Sequence, residues 1–227
     1  MKIGIIIAME KEFEQVKSLL NEPKSLTFEN RHFVYGTIGL NTVILMQSGI
    51  GKVNAAVGTW QMIERFTPDM IISTGVAGGA SLELEIQDVV VSTETCYHDM
   101  YCGKDVAFGQ VIGMPARFKC PEDIVRKAEA LDCGTRIHAG LIVTGDWFVD
   151  TVEKMQQIIG NFPDAMAVDM ESAAIAHTCK MQNTPFVSFR IISDIPLKEG
   201  NTEQYFNFWE TMANKSFNAT KALLNAL

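Results

Sequence analysis

The chain has 227 residues, of which 47% are hydrophobic and 20% are charged, a composition typical of a globular protein rather than a disordered one. Its formal net charge of −8 disfavours partners such as nucleic acid or an anionic membrane, which bind surfaces of clustered Lys and Arg. Residues 1–16 lack the long apolar core of a signal peptide, and no apolar run reaches the roughly 18–20 residues that span a bilayer. The sequence therefore predicts a cytoplasmic protein, and a small molecule remains open as its ligand.

The cysteines and histidines do not form a metal or disulfide motif. The five cysteines are odd in number and scattered, and no two of them form a C-x-x-C pair. The four histidines show neither the H-x-H nor the H-E-x-x-H spacing. We therefore expect reduced thiols and no bound metal.

Hydrophobic patterns predict strands and helices in alternation along the whole chain. In the first half they predict a strand over 2–9, a helix over 10–20, hairpin strands over 31–39 and 41–49, a helix over 52–66, and strands over 69–75 and 88–95. A loop over 100–116 is followed by helices over 121–131, 151–160, 172–181 and 202–227, and by strands over 137–145, 165–170 and 186–194. Such alternation indicates one α/β domain over 1–227 with a mostly parallel or mixed sheet.

Acidic residues follow several of the predicted strands. Ligands in such folds bind beyond the carboxyl ends of the strands, where the connecting loops carry the chemistry. The acids at these ends are Glu10, Glu12, Glu14, Asp146, Asp169, Glu171 and Asp194. This distribution is typical of a site that handles hydroxyl groups and protons.

Each of these acids also has an ordinary structural explanation. On spacing alone Glu12 has no advantage over its neighbours, because acids are common in the first turn of a helix. Asp169 and Glu171 alternate, so on a strand they would face the same side, and at a helix start Asp169 or Ser172 would be the cap. Asp194 precedes a proline by two residues and suits a turn. Arg190 lies within an apolar strand and is expected to pair with a nearby acid.

Four further motifs have equally plain interpretations. The segment GIGK at 49–52 lacks the flanking residues of a phosphate-binding loop and is expected to be a tight turn from strand to helix. The segment TGVAGG at 74–79 is expected to be a loop whose backbone approaches a ligand. For His98 and Asp99 a hydrogen-bonded pair at a strand end is favoured over a catalytic role. The aromatic residues of 205–210 are expected to pack in the core, with one ring free to stack on a base.

Seven segments, in order and at matching spacing, resemble one known family over nearly the whole chain. They are IGIIIAMEKE, SGIGKVNAA, STGVAGG, VVVSTETCYHD, GLIVTGDWFV, AVDMESAAIAHTC and FRIISDIP. The sequence resembles the 5′-methylthioadenosine/S-adenosylhomocysteine nucleosidases of the purine nucleoside phosphorylase/hydrolase superfamily. The resemblance implies a three-layer α/β/α sandwich with a central mixed sheet, and a homodimer. It also implies cofactor-free hydrolysis of the N-glycosidic bond of 5′-substituted adenosines.

The resemblance also implies roles for individual residues. Glu12 is expected to activate water, and Asp194, assisted by Ser193, to protonate the adenine. Glu171 is expected to hold the ribose hydroxyls and Arg190 to order the sugar and the water. The other expected contacts are Met170 on the sugar, Phe148 stacked on the base, the Val149 backbone at its edge, and Ala8, Ile50, Val76, Gly78 and Tyr205 in the binding site.

The sequence departs from the family pattern in two places. Val76 stands where the family usually has Ser or Thr, which leaves Asp194 with one polar neighbour fewer. Residues 100–116, expected to lie near the partner subunit's site in a homodimer, match the pattern only at their end. This divergence leaves the 5′ substituent open, so a futalosine or aminodeoxyfutalosine hydrolase is an alternative.

Two other functions remain as rivals. A phosphate-dependent phosphorylase of the same superfamily would need arginines around the phosphate, and residues 66–116 contain none. A binding protein that has lost turnover is disfavoured because Glu12, Glu171, Arg190 and Asp194 are all retained.

Overall fold

The computed structural model describes residues 1–28, 31–198, 201–211 and 217–227. Within them the strands are β1 Lys2–Ile7, β2 Asn21–Phe28, β3 Arg31–Ile38, β4 Asn41–Gln47, β5 Met70–Gly79, β6 Val89–Tyr97, β7 Phe118–Lys119, β8 Ile137–Thr144, β9 Ala165–Asp169 and β10 Phe186–Asp194. The helices are α1 Glu10–Lys17, α2 Lys52–Phe66, α3 Glu122–Glu129, α4 Val152–Asn161, α5 Ser172–Met181, α6 Asn201–Thr211 and α7 Asn218–Ala226. None of the described helices combines the length and apolar character needed to cross a membrane.

All ten strands belong to one mixed sheet. Its order is β10-β6-β8-β9-β5-β1-β4-β3-β2, with β7 attached to β6. β1 runs parallel to both β4 and β5, whereas β10 runs antiparallel to β6 and β5 runs antiparallel to β9. The predicted α/β fold with a central mixed sheet is therefore confirmed.

Part of this sheet closes on itself. β5 pairs in parallel with β10 along most of its length, in addition to its pairs with β1 and β9. The strands β5, β10, β6, β8 and β9 consequently form a closed circuit of hydrogen-bonded neighbours. The sequence patterns did not predict this closure, because strand periodicity gives the faces of a strand and not its partners.

The central strands are buried on both faces. Every residue of β10 is buried, as is every residue of β1 after Lys2. Strands covered by helices on both faces are encoded by continuous apolar runs rather than by alternation, which explains why these two were visible in the sequence.

The sheet edge was not predicted. β2 reads NEPKSLTF, is almost entirely exposed and pairs antiparallel with β3 at one end of the sheet. Its polar composition and Pro23 are typical of an edge strand that avoids further pairing. Helix α1 accordingly ends at Lys17 rather than at residue 20. The predicted closing helix over 202–227 corresponds to α6 and α7, and its residues 212–216 lie outside the described residues.

Candidate active site

A cavity of about 120 Å³ opens where β1, β5, β9 and β10 reach their carboxyl ends. The site residues expected from the sequence that line it are Ala8, Glu12, Ile50, Val76, Gly78, Phe148, Val149, Met170, Glu171, Ser193, Asp194 and Tyr205. Residues that also line it but were absent from the expected set are Met9, Ala77, Trp147, Val168 and Asp169. Each of them is close in sequence to an expected residue, so the segments that carry the expected residues also identify these.

Glu12 is held in the cavity wall by two backbone N–H groups. Although it lies in the first turn of α1, its residue is only 2% exposed, whereas Glu10 and Glu14 face solvent. The Met9 N–H donates to Oε2 at 3.0 Å and the Val76 N–H donates to Oε1 at 2.8 Å. Burial raises the pKa of Glu12, while nearby Arg190 and these two hydrogen bonds act in the opposite direction. Glu12 is thus a buried carboxyl group whose two oxygens are held in place by these hydrogen bonds.

The close approach of β5 to Glu12 depends on Gly75. This residue has φ +145°, in a region that side chains disfavour. A Cβ atom here would lie 2.5 Å from the Glu12 Oε1 and 2.9 Å from the Arg190 Nη1. Glycine therefore allows a helix carboxylate and a strand guanidinium to meet against the backbone of β5. Residues 74–79 belong to this strand, so the prediction of a loop was wrong, because the paired strand continues through Gly79.

Arg190 lies behind the cavity wall and neutralises two carboxylates. It is 1% exposed and does not line the cavity. Its Nε lies 2.8 Å from Asp169 Oδ2, its Nη2 lies 3.6 Å from Glu171 Oε2, and the same Nη2 donates to Ser73 Oγ at 2.8 Å. The expected pairing of Arg190 with a neighbouring acid is confirmed.

Asp169 and Glu171 have different tasks despite their proximity. The Asp169 Oδ1 accepts hydrogen bonds from Thr144 Oγ1 at 2.6 Å and from the N–H groups of Glu171 and Ser172 at 3.3 and 3.1 Å. Its Oδ2 accepts from the Ser172 hydroxyl and faces Arg190. The N-cap position of α5 is Glu171, and Asp169 accepts N–H groups at the start of this helix, so its oxygens are already occupied by protein partners.

Glu171 keeps an oxygen for a ligand. Its Oε1 accepts the Gly51 N–H at 3.0 Å, and it lines the cavity. Burial raises the pKa of Glu171 to about 7, with Arg190 opposing and Asp169 reinforcing the rise. A carboxyl group of this kind is suited to hydrogen-bond with hydroxyl groups of a ligand.

Asp194 ends β10 beside Gly78 of β5. The Ser193 hydroxyl donates to its Oδ1 at 2.7 Å. Burial raises the pKa of Asp194 to about 6, and the Ser193 hydrogen bond acts in the opposite direction. With such a pKa, about a tenth of the Asp194 carboxyl groups carry a proton at pH 7. Asp194 can therefore donate a proton near neutral pH.

Aromatic rings form the mouth of the cavity. Phe148 is 51% exposed, and its ring meets Tyr205 edge to face at a centroid distance of 5.6 Å. The Tyr205 hydroxyl in turn donates to the Met9 sulfur at 3.7 Å. This half-open apolar edge is suited to a planar ring.

The remaining motifs differ partly from expectation. The segment 49–52 is the predicted tight turn, between β4 and α2. His98 and Asp99 are not hydrogen-bonded to each other, so that prediction was wrong. Asp99 instead pairs with Lys52 at 2.7 Å, and within the described part of the chain both ring nitrogens of His98 lack a hydrogen-bond partner.

The fold and the site define a class of protein. Residues 2–227 match the model of the phosphorylase superfamily, and the chain belongs to this family. It is 40% identical over 231 residues to a 5′-methylthioadenosine/S-adenosylhomocysteine nucleosidase of Anoxybacillus flavithermus, covering 100% of this chain and 99% of the relative.

Solved structures agree with this assignment. The S-adenosylhomocysteine nucleosidase of Streptococcus pyogenes, in complex with 5-methylthiotubericidin, superimposes with a TM-score of 0.93 at 33% identity over 100% of this chain and 97% of the other. A futalosine hydrolase mutant of Helicobacter pylori superimposes with a TM-score of 0.90 at 26% identity over 100% and 99% of the two chains.

Proposed function

We propose that the protein hydrolyses the N-glycosidic bond of 5′-substituted adenosines and releases adenine. The substrates expected are 5′-methylthioadenosine, S-adenosylhomocysteine and 5′-deoxyadenosine, in keeping with the names of its relatives. The observation that carries the proposal is Asp194, a buried carboxyl group with a pKa raised to about 6, in the same cavity as a second buried carboxyl group, Glu12.

Asp194 supplies the proton for the leaving group. Adenine leaves poorly as an anion and well once its N7 is protonated or hydrogen-bonded. An acid with a pKa near the working pH serves this step, because it is protonated often enough and still releases its proton. Ser193 directs the carboxyl group through the hydrogen bond to Oδ1.

Glu12 takes a proton from the attacking water. As the bond to adenine breaks, the sugar develops oxocarbenium character and water adds to C1′. An acid on the side of the leaving group and a carboxylate on the side of the water is the arrangement of inverting glycoside hydrolysis. Burial raises the pKa of Glu12, which makes it a stronger base, while Arg190 and the N–H groups of Met9 and Val76 act in the opposite direction.

The other cavity residues orient the nucleoside. Glu171 receives the ribose hydroxyls, and Met170 beside it packs on the sugar. Phe148 stacks on the adenine ring while the Val149 backbone contacts its polar edge. Arg190 acts from behind the wall by holding Glu171 and Asp169 in place.

Water is a better nucleophile for this site than phosphate. Among the described residues that line the cavity none is Lys, Arg or His, and four are acids, namely Glu12, Asp169, Glu171 and Asp194. A phosphate dianion would meet carboxylates without a countercharge. Hydrolysis is therefore favoured over phosphorolysis.

We further infer that residues 1–227 act as one domain and that two copies form a homodimer. α2 presents an exposed apolar stripe of Val53, Val57 and Trp60, at helical spacing on one face. Ile50, which lines the cavity, is exposed beside the stripe. A second copy seated on this stripe would bring a segment, expected to be residues 100–116, to the cavity mouth.

The test is adenine release from 5′-methylthioadenosine in phosphate-free buffer, measured by chromatography. We expect turnover without phosphate, and a loss of about 10²–10⁴-fold in kcat for Glu12→Gln and for Asp194→Asn. Glu10→Gln and Asp123→Asn, which change exposed acids, serve as matched controls and should retain activity.

Other outcomes would redirect the proposal. Release only after phosphate is added would identify a phosphorylase. Release from aminodeoxyfutalosine but not from 5′-methylthioadenosine would favour the alternative hydrolase, to which one structural relative corresponds. Full activity of Asp194→Asn would overturn its assignment as the acid.

A further inference from the structure

Three segments that are distant in the sequence meet beside the cavity. They are the turn 49–52 before α2, the pair 98–99 after β6, and the loop 145–149 after β8. The turn carries Ile50 and the loop carries Trp147, Phe148 and Val149, all of which line the cavity. Residues 98–99 do not line the cavity, so they affect it through the positions of the other two segments.

Lys52, Asp99 and Asp146 connect these segments, and we name the three residues the clamp. The Lys52 Nζ donates to Asp99 Oδ2 at 2.7 Å, and the Asp146 N–H donates to the same oxygen at 2.9 Å. The Lys52 N–H donates to Asp146 Oδ1 at 2.9 Å. Each of the three segments is therefore bonded to the other two, and two of the bonds end on one oxygen of Asp99.

The surroundings leave Asp99 and Lys52 little room to move, whereas the Asp146 side chain is 49% exposed. The side chains of Asp99 and Lys52 are 10% and 21% exposed, and the Lys52 Nζ lies 5.6 Å from the centroid of the Tyr97 ring. A Cβ atom on Gly145 would overlap the His98 ring and lie 2.9 Å from the Asp99 Cγ. The His98 ring also meets the Trp147 ring edge to face at 5.2 Å. The loop 145–149 thus rests directly against residues 98–99.

The turn has a second link to the site. Gly51, directly before Lys52, donates its N–H to Glu171 at 3.0 Å. Displacing the turn therefore removes a hydrogen bond from the residue proposed to hold the ribose. Displacing the loop moves the ring proposed to stack on the base. Neither change touches Glu12 or Asp194, which are held by other segments.

We propose that Asp99 is a positioning residue for nucleoside binding, which holds the turn 49–52 and the loop 145–149 in register through Lys52 and Asp146. The proposal rests on the proposed function, because its readout is turnover of the nucleoside. In this proposal the clamp supports binding of the base and the ribose, and other residues carry out the proton transfers. Loss of Asp99 should consequently raise KM more than it lowers kcat.

The experiment compares kcat and KM for 5′-methylthioadenosine between the wild type, Asp99→Ala and Asp99→Asn. Asp99→Ala removes an acceptor shared by a charged and a backbone donor, and we expect KM to rise roughly tenfold with kcat changed less than about threefold. Asp99→Asn keeps one acceptor oxygen and should recover part of the affinity. The matched control is Asp164→Asn, which removes a surface ion pair with Arg117 at 2.6 Å, away from the cavity.

A merely structural role would give a different result. If Asp99 only stabilises the fold, the variants would lose folded enzyme, and the apparent kcat would fall while KM stayed constant. That outcome, or an Asp99→Ala variant with the KM of the wild type, would overturn the proposal. Lys52→Met provides a second variant if Asp99→Ala does not fold, and it should also raise KM because it removes the charged donor of the clamp.

Failure of the proposed function is recognised separately. It would appear as a wild-type protein that releases no adenine, whatever the clamp does. In that case binding of adenine, measured by calorimetry on the wild type and Asp99→Ala, tests the clamp without turnover. Equal affinities in that measurement would overturn it.

Discussion

Glu12 lies on a helix and Asp194 ends a strand, yet both residues are positioned by the same strand, β5, at places two residues apart. Glu12 accepts the Val76 N–H, and Asp194 stands beside Gly78 in the register of β5 and β10. Two residues of a strand span about 7 Å. The distance between residues along β5 therefore determines the spacing between the proposed base and the proposed acid.

This dependence on β5 makes Gly75 a sensitive position. In Gly75→Ala the new Cβ atom would lie 2.5 Å from the Glu12 Oε1 at a φ of +145°, so Glu12 or the strand must move. We expect a loss of kcat of at least about tenfold and a destabilisation of about 1–3 kcal/mol, measured by steady-state kinetics and thermal unfolding. Gly160→Ala, where a Cβ atom meets nothing within 4 Å, is the control and should keep full activity.

Because of Asp194, the free energy of unfolding should decrease as pH rises. Its pKa is raised from 3.8 to about 6 in the folded protein, so folding favours its protonated form. The corresponding contribution to the free energy of unfolding is complete below the unfolded pKa and is lost as pH rises through about 6. Asp194→Asn, which does not titrate, should therefore exceed the wild type in stability at pH 8 by up to about 3 kcal/mol, and match it near pH 4.

Thermal unfolding at the two pH values measures this difference. For a chain of this size, about 3 kcal/mol corresponds to a rise in Tm of several degrees at pH 8. An equal difference in Tm at both pH values would show that the effect is not due to the titration of Asp194.

Ser193 should set the alkaline limit of activity. Its hydroxyl stabilises the ionised form of Asp194, and this lowers the pKa of that carboxyl group. In Ser193→Ala the pKa of Asp194 should rise, and the alkaline limb of the kcat/KM profile should move to higher pH even though kcat/KM falls. Ser193→Thr retains the hydroxyl and should keep the limb where it is in the wild type. A limb that stays in place in Ser193→Ala would contradict this role.

The apolar stripe on α2 should carry the homodimer. Val57→Asp places a charge at the middle of the stripe, between Val53 and Trp60, where a partner would have to desolvate it. We expect sedimentation velocity to show a dimer for the wild type and a monomer for Val57→Asp, with weaker substrate binding in the monomer. Asp123→Asn, which changes an exposed acid on α3 rather than on the stripe, should remain dimeric. A monomeric wild type at micromolar concentration would refute the assignment.

The sequence predicts the interior of this fold better than its edges and its closure. α2 and α5 begin and end at the predicted residues, and the two strands buried on both faces are evident as apolar runs. β2 escapes prediction because an edge strand needs few apolar residues. The pairing of β5 with β10 escapes because it depends on which strands become neighbours, and a single sequence carries no local signal for that choice.

The same distinction holds for the candidate site. From spacing alone Glu12 is equivalent to Glu10 and Glu14, and only the family resemblance separates it from them. The physical difference is the Val76 N–H, which lies 64 residues away along the chain. The clamp of Lys52, Asp99 and Asp146 is hidden for the same reason, since each residue is ordinary within its own segment.

The closing pair of strands also has a consequence for how the chain folds. Ser73 of β5 and Arg190 of β10 are 117 residues apart, and their side chains meet only once the circuit of strands is complete. Contacts between such distant segments form slowly, because a large loop must be ordered first. Once the ribosome has synthesised β5, both Glu12 and its backbone partner, the Val76 N–H, have been made. The guanidinium that neutralises the site and the acid that ends β10 are synthesised only later, so the site cannot be complete before β10 has been made.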